Sequence, residues 1–430
     1  MACEWREVAV SDIADLSGGF AFKSEDYALS GRFILRTLNI RDDCSISRDD
    51  AVYLPEELCP QYARFELKPN DTLFVMVGAT LGKVGFVRET DLPALLNQNI
   101  WLVRAKQDVA DPRFVHYAFR HAVKASLGWA SGSARDFVRR DDYRDLQLSV
   151  PPLREQRAIA HILGTLDDKI ELNRRMNETL EAIARVLFRS WFVDFDPVRA
   201  KAEGRDHGLP KPLADLFPDS LEDSARGEIP KGWQIGTVGD LCTRILEKVD
   251  DPEDWRGQRL IDLSRMPQNS IALTEWGLGE ELTTSVTRFS RKDTLFGAIR
   301  PYFHKVGVAP IDGVTNVSVF VLRARRESDW PFVGILCSMA DTIEYATRVS
   351  RGTKMPVITW PDLRDYQCVV PSPAVRDAFA LQTGSLLERM MGCIHESRSL
   401  ATIRAALLPR LVSGELRIKD AERIIGRVQP

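Results

Sequence analysis

The sequence predicts two similar mixed α/β domains in tandem, joined by two long antiparallel coiled-coil helices in a pseudo-twofold arrangement. The first observation is a spaced motif, Asp-Thr-Leu-Phe followed by Lys-Val-Gly, that lies within residues 71–85 and returns within residues 293–307, about 222 residues later. The second is the pattern Arg-Asp-x-Gln-x-x-Val-Pro at residues 144–151, which recurs at residues 364–371. The third is a heptad pattern after each copy. Two copies at a fixed interval indicate two similar domains rather than a solenoid.

Length and composition are those of an ordinary globular protein. The 430 residues, 44% of them apolar and 28% charged, are enough for two or three domains with cores of their own. No apolar run approaches the roughly 18–20 residues that cross a bilayer, and the N-terminus lacks the basic-then-apolar pattern of a signal peptide. The seven cysteines form no Cys-x-x-Cys pair. We therefore expect a cytoplasmic protein with reduced thiols, no structural zinc and no membrane association.

The first domain is predicted over residues 1–150. Apolar runs at residues 33–35, 72–77 and 100–103 are short and bounded by turn-forming residues, as buried strands are. Residues 114–127 have the spacing of a helix. The same motifs place the second domain at residues 233–370, and residues 197–232 between the repeats, which are rich in Pro, Gly and charge, are predicted to be a connector.

Two coiled-coil helices are predicted, one over residues 151–196 and one, with a tail, over residues 371–430. Roughly 40 helical residues correspond to a rod of about 60 Å. Apolar residues and two asparagines recur at spacings of four and three, and the other faces carry Arg, Glu, Asp and Lys. The first seam comprises Ile159, Leu163, Leu166, Ile170, Asn173, Asn177, Leu180, Ala184, Leu187 and Trp191. The second comprises Phe379, Thr383, Leu386, Met390, Cys393, Ser397, Leu400, Arg404, Leu407 and Leu411.

Each helix is the obvious partner of the other. Antiparallel pairing is the more economical topology because the first helix then ends where the second domain begins. It would place the two domains at opposite ends of the rod. The alternative is that each helix is amphipathic and packs only on its own domain, but the length and the repetition favour a rod.

The sequence contains no recognisable catalytic motif. It has no phosphate-binding Gly-x-x-x-x-Gly-Lys-Ser/Thr loop, and it lacks the Asn/Asp-Pro-Pro-aromatic tetrapeptide that surrounds the target base in amino-methyltransferases. Asp167, Asp168 and Lys169 resemble the Asp-x-Lys of metal-dependent nucleases, but they lie in the middle of the predicted rod, where a solvated charged face is the simpler interpretation. The pattern therefore favours a binding protein rather than an enzyme.

Several segments resemble one known family. Residues 151–160, with Pro-Pro-Leu-x-Glu-Gln-x-x-Ile-Ala, and residues 187–197, with Leu-Phe-x-Ser-Trp-Phe-Val-Asp-Phe-Asp-Pro, resemble the central conserved region of specificity subunits of type I restriction–modification systems. Residues 407–416, with Leu-Leu-Pro-x-Leu-x-x-Gly-x-Leu, resemble the distal conserved region. Residues 18–24 and 78–83 resemble motifs of the family's target-recognition domains. The resemblance covers nearly the whole chain.

The resemblance implies a division of labour. Each target-recognition domain would read one half of a bipartite double-stranded DNA target, and the paired helices would set the unread gap. Two methyltransferase subunits would dock on the helices and carry S-adenosylmethionine. Restriction subunits with ATP- and Mg-dependent translocase activity would complete a complex that defends against phage. The chain itself would bind no cofactor or metal and would have no catalytic residues.

Candidate DNA contacts follow from residue chemistry. The 58 Lys and Arg against 61 acidic residues give a formal net charge of −3, so binding requires a local basic face. Bases are contacted by Arg, Lys, Asn, Gln, Ser and Thr, and phosphates by Arg, Lys and backbone N–H groups. In the first domain the candidates are Lys23, Ser24, Thr80, Lys83, Asn97, Gln98, Ser133, Arg135, Arg139 and Arg140. In the second they are Arg300, Tyr302, His304, Lys305, Arg351, Gly352, Thr353 and Lys354.

Each candidate could instead be an ordinary surface salt bridge or turn residue. Phe20 and Phe22 are predicted to be core residues rather than wedges between base pairs. The sequence also leaves three other functions open: a self-contained methyltransferase or nuclease, an interaction scaffold without a DNA role, and the specificity module of another restriction class. The missing cofactor and metal motifs argue against the first of these.

Overall fold

The computed structural model describes residues 5–129, 140–206, 208–225, 227–249, 251–282 and 286–428. The chain divides into two compact units. The first unit comprises residues 1–168 and 400–430, and the second comprises residues 169–399. Each unit contains one α/β domain and parts of both long helices.

In its described residues the first domain is built from short strands and three α-helices, besides short 3₁₀ turns. The strands are β1 (Arg6–Ala9), β2 (Ala14–Gly18), β3 (Arg32–Leu35), β4 (Val52–Leu54), β5 (Thr72–Val75), β6 (Val84–Phe86), β7 (Ala94–Leu96), β8 (Ile100–Ala105) and β9 (Gln147–Val150). The helices are α1 (Val10–Ile13), α2 (Pro112–Trp129) and α3 (Arg140–Arg144). An antiparallel sheet has the order β2-β8-β5-β6, a second sheet has the order β4-β3-β7 with β3 and β7 parallel, and β1 pairs with β9.

The first long helix and the connector follow. The long helix is α4 (Leu153–Phe192). The connector contains two short helices and a hairpin: α5 (Asp196–Ala202), α6 (Lys211–Ala214), β10 (Leu221–Ser224) and β11 (Gly227–Pro230). Trp191 and Phe217 pack with their ring centres 5.0 Å apart, so the connector is anchored on the end of α4.

The second domain repeats the architecture of the first. Its strands are β12 (Gln234–Thr237), β13 (Cys242–Ile245), β14 (Lys248–Val249), β15 (Arg259–Leu260), β16 (Gly277–Leu278), β17 (Val286–Phe289), β18 (Thr294–Gly297), β19 (Val306–Val308), β20 (Gly313–Thr315), β21 (Val319–Ala324) and β22 (Gln367–Val370). Its helices are α7 (Val238–Leu241), α8 (Trp330–Cys337), α9 (Ala340–Val349) and α10 (Trp360–Arg364). The sheet β13-β21-β18-β19 corresponds to β2-β8-β5-β6, and β12-β22 corresponds to β1-β9. The chain ends with the second long helix, α11 (Pro373–Val412), and α12 (Ile418–Val428).

The repeat extends to a buried ion pair. Asp71, which is 2% exposed, accepts hydrogen bonds from Nε and Nη2 of Arg104 at 2.8 and 2.6 Å. Asp293, which is 4% exposed, accepts the same two bonds from Arg323 at 2.8 and 2.7 Å. In each copy the aspartate precedes one central strand and the arginine lies on its antiparallel neighbour. The recurring Asp of the sequence motif is therefore structural.

The two long helices pack antiparallel within each unit. In the first unit Asp167 pairs with Arg404, and Glu155 lies 3.7 Å from Arg417. In the second unit Asn173 donates a 2.8 Å hydrogen bond to Glu396, while the ring centres of Trp191 and Phe379 lie 5.8 Å apart. None of the residues predicted for the two seams is exposed. Two tandem α/β domains with antiparallel coiled-coil helices are thus confirmed.

Asn177 of the first seam and the aromatic pair Phe20 and Phe22 lie where the sequence predicts them. Asn177 is 6% exposed and its Oδ1 has no hydrogen-bond partner among the described residues, so it weakens the seam where the sequence places the asparagines. Phe22 is buried and Phe20 packs beside it with Tyr62, which confirms both phenylalanines as core residues. Over the described ranges, no helix is both long and apolar enough to span a bilayer.

Candidate nucleic-acid interface

The hairpin loop of the second domain, residues 298–305 between β18 and β19, has an unusual backbone. Arg300 and His304 both have left-handed conformations, with φ of 50° and 52°, on either side of a short 3₁₀ turn. In the first domain the corresponding loop between β5 and β6 has glycines at these two positions, Gly78 with φ of 80° and Gly82 with φ of 87°. A left-handed non-glycine residue costs roughly 1–2 kcal/mol. The second domain therefore carries side chains where the backbone favours glycine.

A second loop, residues 351–357, packs directly against the hairpin loop. The backbone N–H of Arg300 donates to the carbonyl of Pro356 at 2.7 Å, and Ile299 forms a β-bridge with Val357. A guanidinium nitrogen of Arg300 lies 3.4 Å from the carbonyl of Lys354. Gly352 is required here because its φ is 107° and an added Cβ would lie 2.9 Å from the carbonyl oxygen of Met355.

The two adjoining loops carry all eight candidates of the second domain, and among the described contacts six of them do not have a polar side-chain atom held inward by a backbone carbonyl outside these loops. These six residues are Arg300, Tyr302, Arg351, Gly352, Thr353 and Lys354. Tyr302 is 50% exposed, and residues 351–354 are all exposed. The guanidinium of Arg351 lies 3.4 Å from Asp362, and its side chain remains 77% exposed. Exposed cations, an exposed tyrosine and small residues beside the half-buried Arg300 have the chemistry to contact phosphates and base edges.

The other two candidates on the hairpin loop are held inward. Nε2 of His304 donates to the carbonyl of Ser338 at 2.8 Å, and burial lowers the pKa of His304, so the neutral ring with a proton on Nε2 is the form that makes this bond. Nζ of Lys305 donates to the carbonyl of Leu263 at 2.5 Å, and burial lowers the pKa of this lysine as well. As DNA contacts, these two residues remain predictions, because Nε2 of His304 and Nζ of Lys305 already donate to backbone carbonyls.

In the first domain the described candidates lie on four segments, at residues 23–24, 80–83, 97–98 and 140. Segment 97–99 pairs with Phe20 and accepts a hydrogen bond from the N–H of Met76, so it adjoins both the residues before Lys23 and the start of the hairpin loop. Asn97 is buried, whereas Gln98 is exposed. Nζ of Lys83 lies 2.7 Å from Asp42.

The remaining first-domain candidates differ in how far the structure describes them. Lys23 and Ser24 are exposed, with Lys23 3.1 Å from Glu25, and Thr80 is half-buried. Arg140 begins α3, but its side chain is not among those described. The candidates outside the described residues are Ser133, Arg135 and Arg139.

The acidic pair that resembled a nuclease motif is occupied by structural contacts in the first unit. Asp167 accepts a 2.6 Å hydrogen bond from the hydroxyl of Tyr117 and pairs with Arg404, and Asp168 is bound by both terminal nitrogens of Arg113. Burial beside Asp167 raises the pKa of Tyr117, so it stays a phenol that donates. Across the described residues, no three His, Cys, Asp or Glu side chains are grouped to hold a metal ion.

Two residues beside this interface could not be predicted from the sequence. Glu181 and Arg185 belong to the polar face of the predicted rod, yet Glu181 is only 6% exposed and its carboxylate bonds to residues of the second domain. No heptad pattern distinguishes them from the solvent-exposed acids and bases of the same helix.

Comparisons with known proteins agree on one class, the DNA-specificity proteins of restriction systems. Residues 3–182 match the family model described as the type I restriction modification DNA specificity domain. The chain is 23% identical to the type I restriction enzyme MjaIX specificity subunit of Methanocaldococcus jannaschii over 369 residues, which cover 82% of this chain and 79% of that protein. It is 25% identical to the HindI specificity subunit of Haemophilus influenzae over 325 residues, which cover 64% and 70%.

A solved structure supports the same fold. The S subunit of the type I restriction–modification system from M. genitalium matches with a TM-score of 0.56 at 14% identity, over 96% of each chain. Over most of its length the chain is therefore similar to specificity subunits of type I restriction–modification systems, and the resemblance noted in the sequence is confirmed.

Proposed function

We propose that this chain selects the DNA sequence for a type I restriction–modification complex, with each α/β domain reading one half of a bipartite target. The observation that carries the proposal is the pair of adjoining loops in the second domain, where exposed Arg351, Lys354 and Tyr302 surround the strained Arg300. Left-handed non-glycine residues persist where the surrounding structure holds them, and they concentrate at functional sites. The family match over residues 3–182 supports the same role for the first domain.

The two long helices would set the gap between the half-sites. Each contains 40 residues, so each is about 60 Å long at 1.5 Å per residue. Along B-DNA, 60 Å corresponds to about 18 base pairs at 3.4 Å per pair. A rod of this length is ample to separate two short half-sites by an unread gap.

The first helix would also dock a methyltransferase subunit. Leu172, Met176, Ile183 and Val186 form a stripe on α4 at helical spacing and are between 36% and 66% exposed. Apolar side chains that remain exposed in a row mark a surface for a protein partner. We propose that two methyltransferase subunits carry S-adenosylmethionine and that restriction subunits with translocase activity use ATP and Mg. This chain would supply recognition and no catalytic residue, and the complex would act in the cytoplasm.

The test is to co-express the chain with a methyltransferase subunit of its own restriction system and to map modified bases across the host genome by long-read sequencing. One split motif with two short specified halves and a constant gap would support the proposal. A stable complex that modifies no split motif would refute it.

A further inference from the structure

A chain of buried polar contacts in the second unit joins the first long helix to the hairpin loop of the second domain. The carboxylate of Glu181 accepts hydrogen bonds from Nε and Nη2 of Arg185 at 2.9 and 2.8 Å. It also accepts from the hydroxyl of Ser270 at 2.8 Å and from the backbone N–H of Ile271 at 3.1 Å. The same Arg185 donates from Nη1 to the carbonyl of Ser338 at 2.7 Å. One ion pair on α4 therefore holds two separate segments of the domain.

Both of those segments also hold His304. The carbonyl of Ser338 accepts from the His304 ring at 2.8 Å, and the N–H of Asn269, adjacent to Ser270, donates to the His304 carbonyl at 3.1 Å. Ser338 itself is fully buried. His304 is thus fixed by its side chain and by its backbone, and each anchor traces back to the Glu181–Arg185 pair. We name these contacts the helix–loop clasp.

The corresponding positions of the first copy cannot form the same clasp. The helix positions that correspond to Glu181 and Arg185 in the repeat are Ala401 and Ala405, and the loop position that corresponds to His304 is Gly82. None of these three residues has a side chain that could form the contacts. Because the three positions differ together, the clasp is more than an isolated ion pair on a helix surface.

Burial also sets the clasp apart from ordinary ion pairs. Exposed pairs contribute little to stability, whereas a buried carboxylate is tolerated only when several donors satisfy it. The side chain of Glu181 is 8% exposed, and donors from Arg185, Ser270 and Ile271 saturate it. A left-handed His304 adds a strain that Gly82 in the first copy avoids. Two costs at one place favour a role in holding the loop.

We propose that Glu181, Arg185 and His304 are positioning residues that set how sharply the second domain discriminates DNA bases, an inference that rests on the proposed function. By fixing His304, the clasp fixes the far end of the loop that presents Arg300 and Tyr302. A pre-organised contact surface spends less binding free energy on ordering and discriminates better. The first domain lacks the clasp, so its half-site is independent of these residues.

The test compares His304→Gly and Arg185→Lys with the wild-type chain, each purified in complex with the methyltransferase subunit. Glycine suits the left-handed backbone, so His304→Gly removes the ring contact without adding backbone strain. Arg185→Lys keeps a positive charge beside Glu181 but lacks the planar fork that also reaches Ser338. Methylation rates are measured on the mapped target and on targets with one base changed in either half.

For each variant we expect discrimination in the second half-site to fall by about three- to tenfold, as the loss of one positioning hydrogen bond implies, with the first half-site unchanged. The matched control is Arg291→Met, because Arg291 joins the same domain to α11 through Glu388 in a pair that is 41% and 37% exposed. It should leave both half-sites unchanged.

The outcomes separate this inference from the proposed function. If the wild-type complex recognises no split motif, the proposed function itself is refuted, and this inference with it. If the wild-type complex recognises a split motif, equal loss in both half-sites, or full discrimination in both variants, overturns the clasp as a positioning device. A loss confined to the second half-site, with thermal unfolding midpoints close to wild type, supports it.

Discussion

Replacing Asp71 by Ala is expected to destabilise one domain and leave the other intact. Asp71 is 2% exposed, holds Arg104 through two hydrogen bonds, and accepts a 2.7 Å bond from the N–H of Lys68. Removal of one partner of a buried pair costs about 3–5 kcal/mol, and we expect about 2–4 kcal/mol here because the arginine keeps some contact with water. The side chain of Arg104 is 32% exposed, which is the basis of that reduction.

The assay is native-state hydrogen exchange, which reports each domain separately in one molecule. A loss of 2–4 kcal/mol corresponds to exchange that is about 30-fold to nearly 1,000-fold faster in strands β5 and β8 where they open with the domain. The equivalent strands β18 and β21 should be unchanged, and Asp293→Ala should give the reverse pattern. Asp15→Ala is the matched surface control, because Asp15 is 77% exposed and 3.8 Å from Lys106. Faster exchange in both domains, or a loss in β5 below about 1 kcal/mol, would contradict the assignment of this pair as a buried structural element.

Three further outcomes are expected. His116 is 3% exposed, and burial lowers its pKa well below the ordinary value, so below about pH 6.5 the unfolded chain binds a proton that the folded chain does not. The free energy of unfolding should therefore fall by up to about 1.4 kcal/mol per pH unit below that pH. Urea unfolding at pH 7.5 and 5.5 should show a smaller fall for His116→Leu. Lys83→Ala should reduce the slope of log binding constant against log salt concentration for the complex on DNA by about 0.9. Asp42→Ala, which removes the partner of Lys83, should leave that slope unchanged. An unchanged slope for Lys83→Ala would exclude a phosphate contact. Ile183→Glu should weaken co-purification with the methyltransferase subunit at least tenfold. Leu381→Glu, at an 81% exposed residue of α11, should not weaken it. Equal retention by both variants would show that the exposed stripe on α4 is not the docking surface.

The hairpin loop shows where sequence reasoning succeeds and where it stops. Residues Arg300, Tyr302, His304 and Lys305 are close in sequence and all have chemistry suited to DNA. The structure leaves Tyr302 half exposed, whereas the polar atoms of His304 and Lys305 bond to the backbone of other segments. Sequence proximity cannot separate these cases, because the acceptors, at Ser338 and Leu263, lie 34 and 42 residues away in sequence.

The sequence alone determined the duplication, the two α/β domains and the two long heptad helices. Those features depend on local periodicity and on repeated motifs, which the chain carries in its order of residues. The sequence only favoured antiparallel pairing of the helices, which the contacts of Asp167 with Arg404 and of Asn173 with Glu396 established. Only the tertiary structure decided that Asp71 is a buried structural anion, that Asp167 is bound by Tyr117, and that Glu181 holds the second domain. The physical reason is that the cost of burying a charge, and hence its role, depends on which donors pack against it from distant segments. Heptad spacing specifies the face that a helix turns toward its apolar partner, but not what covers its polar faces.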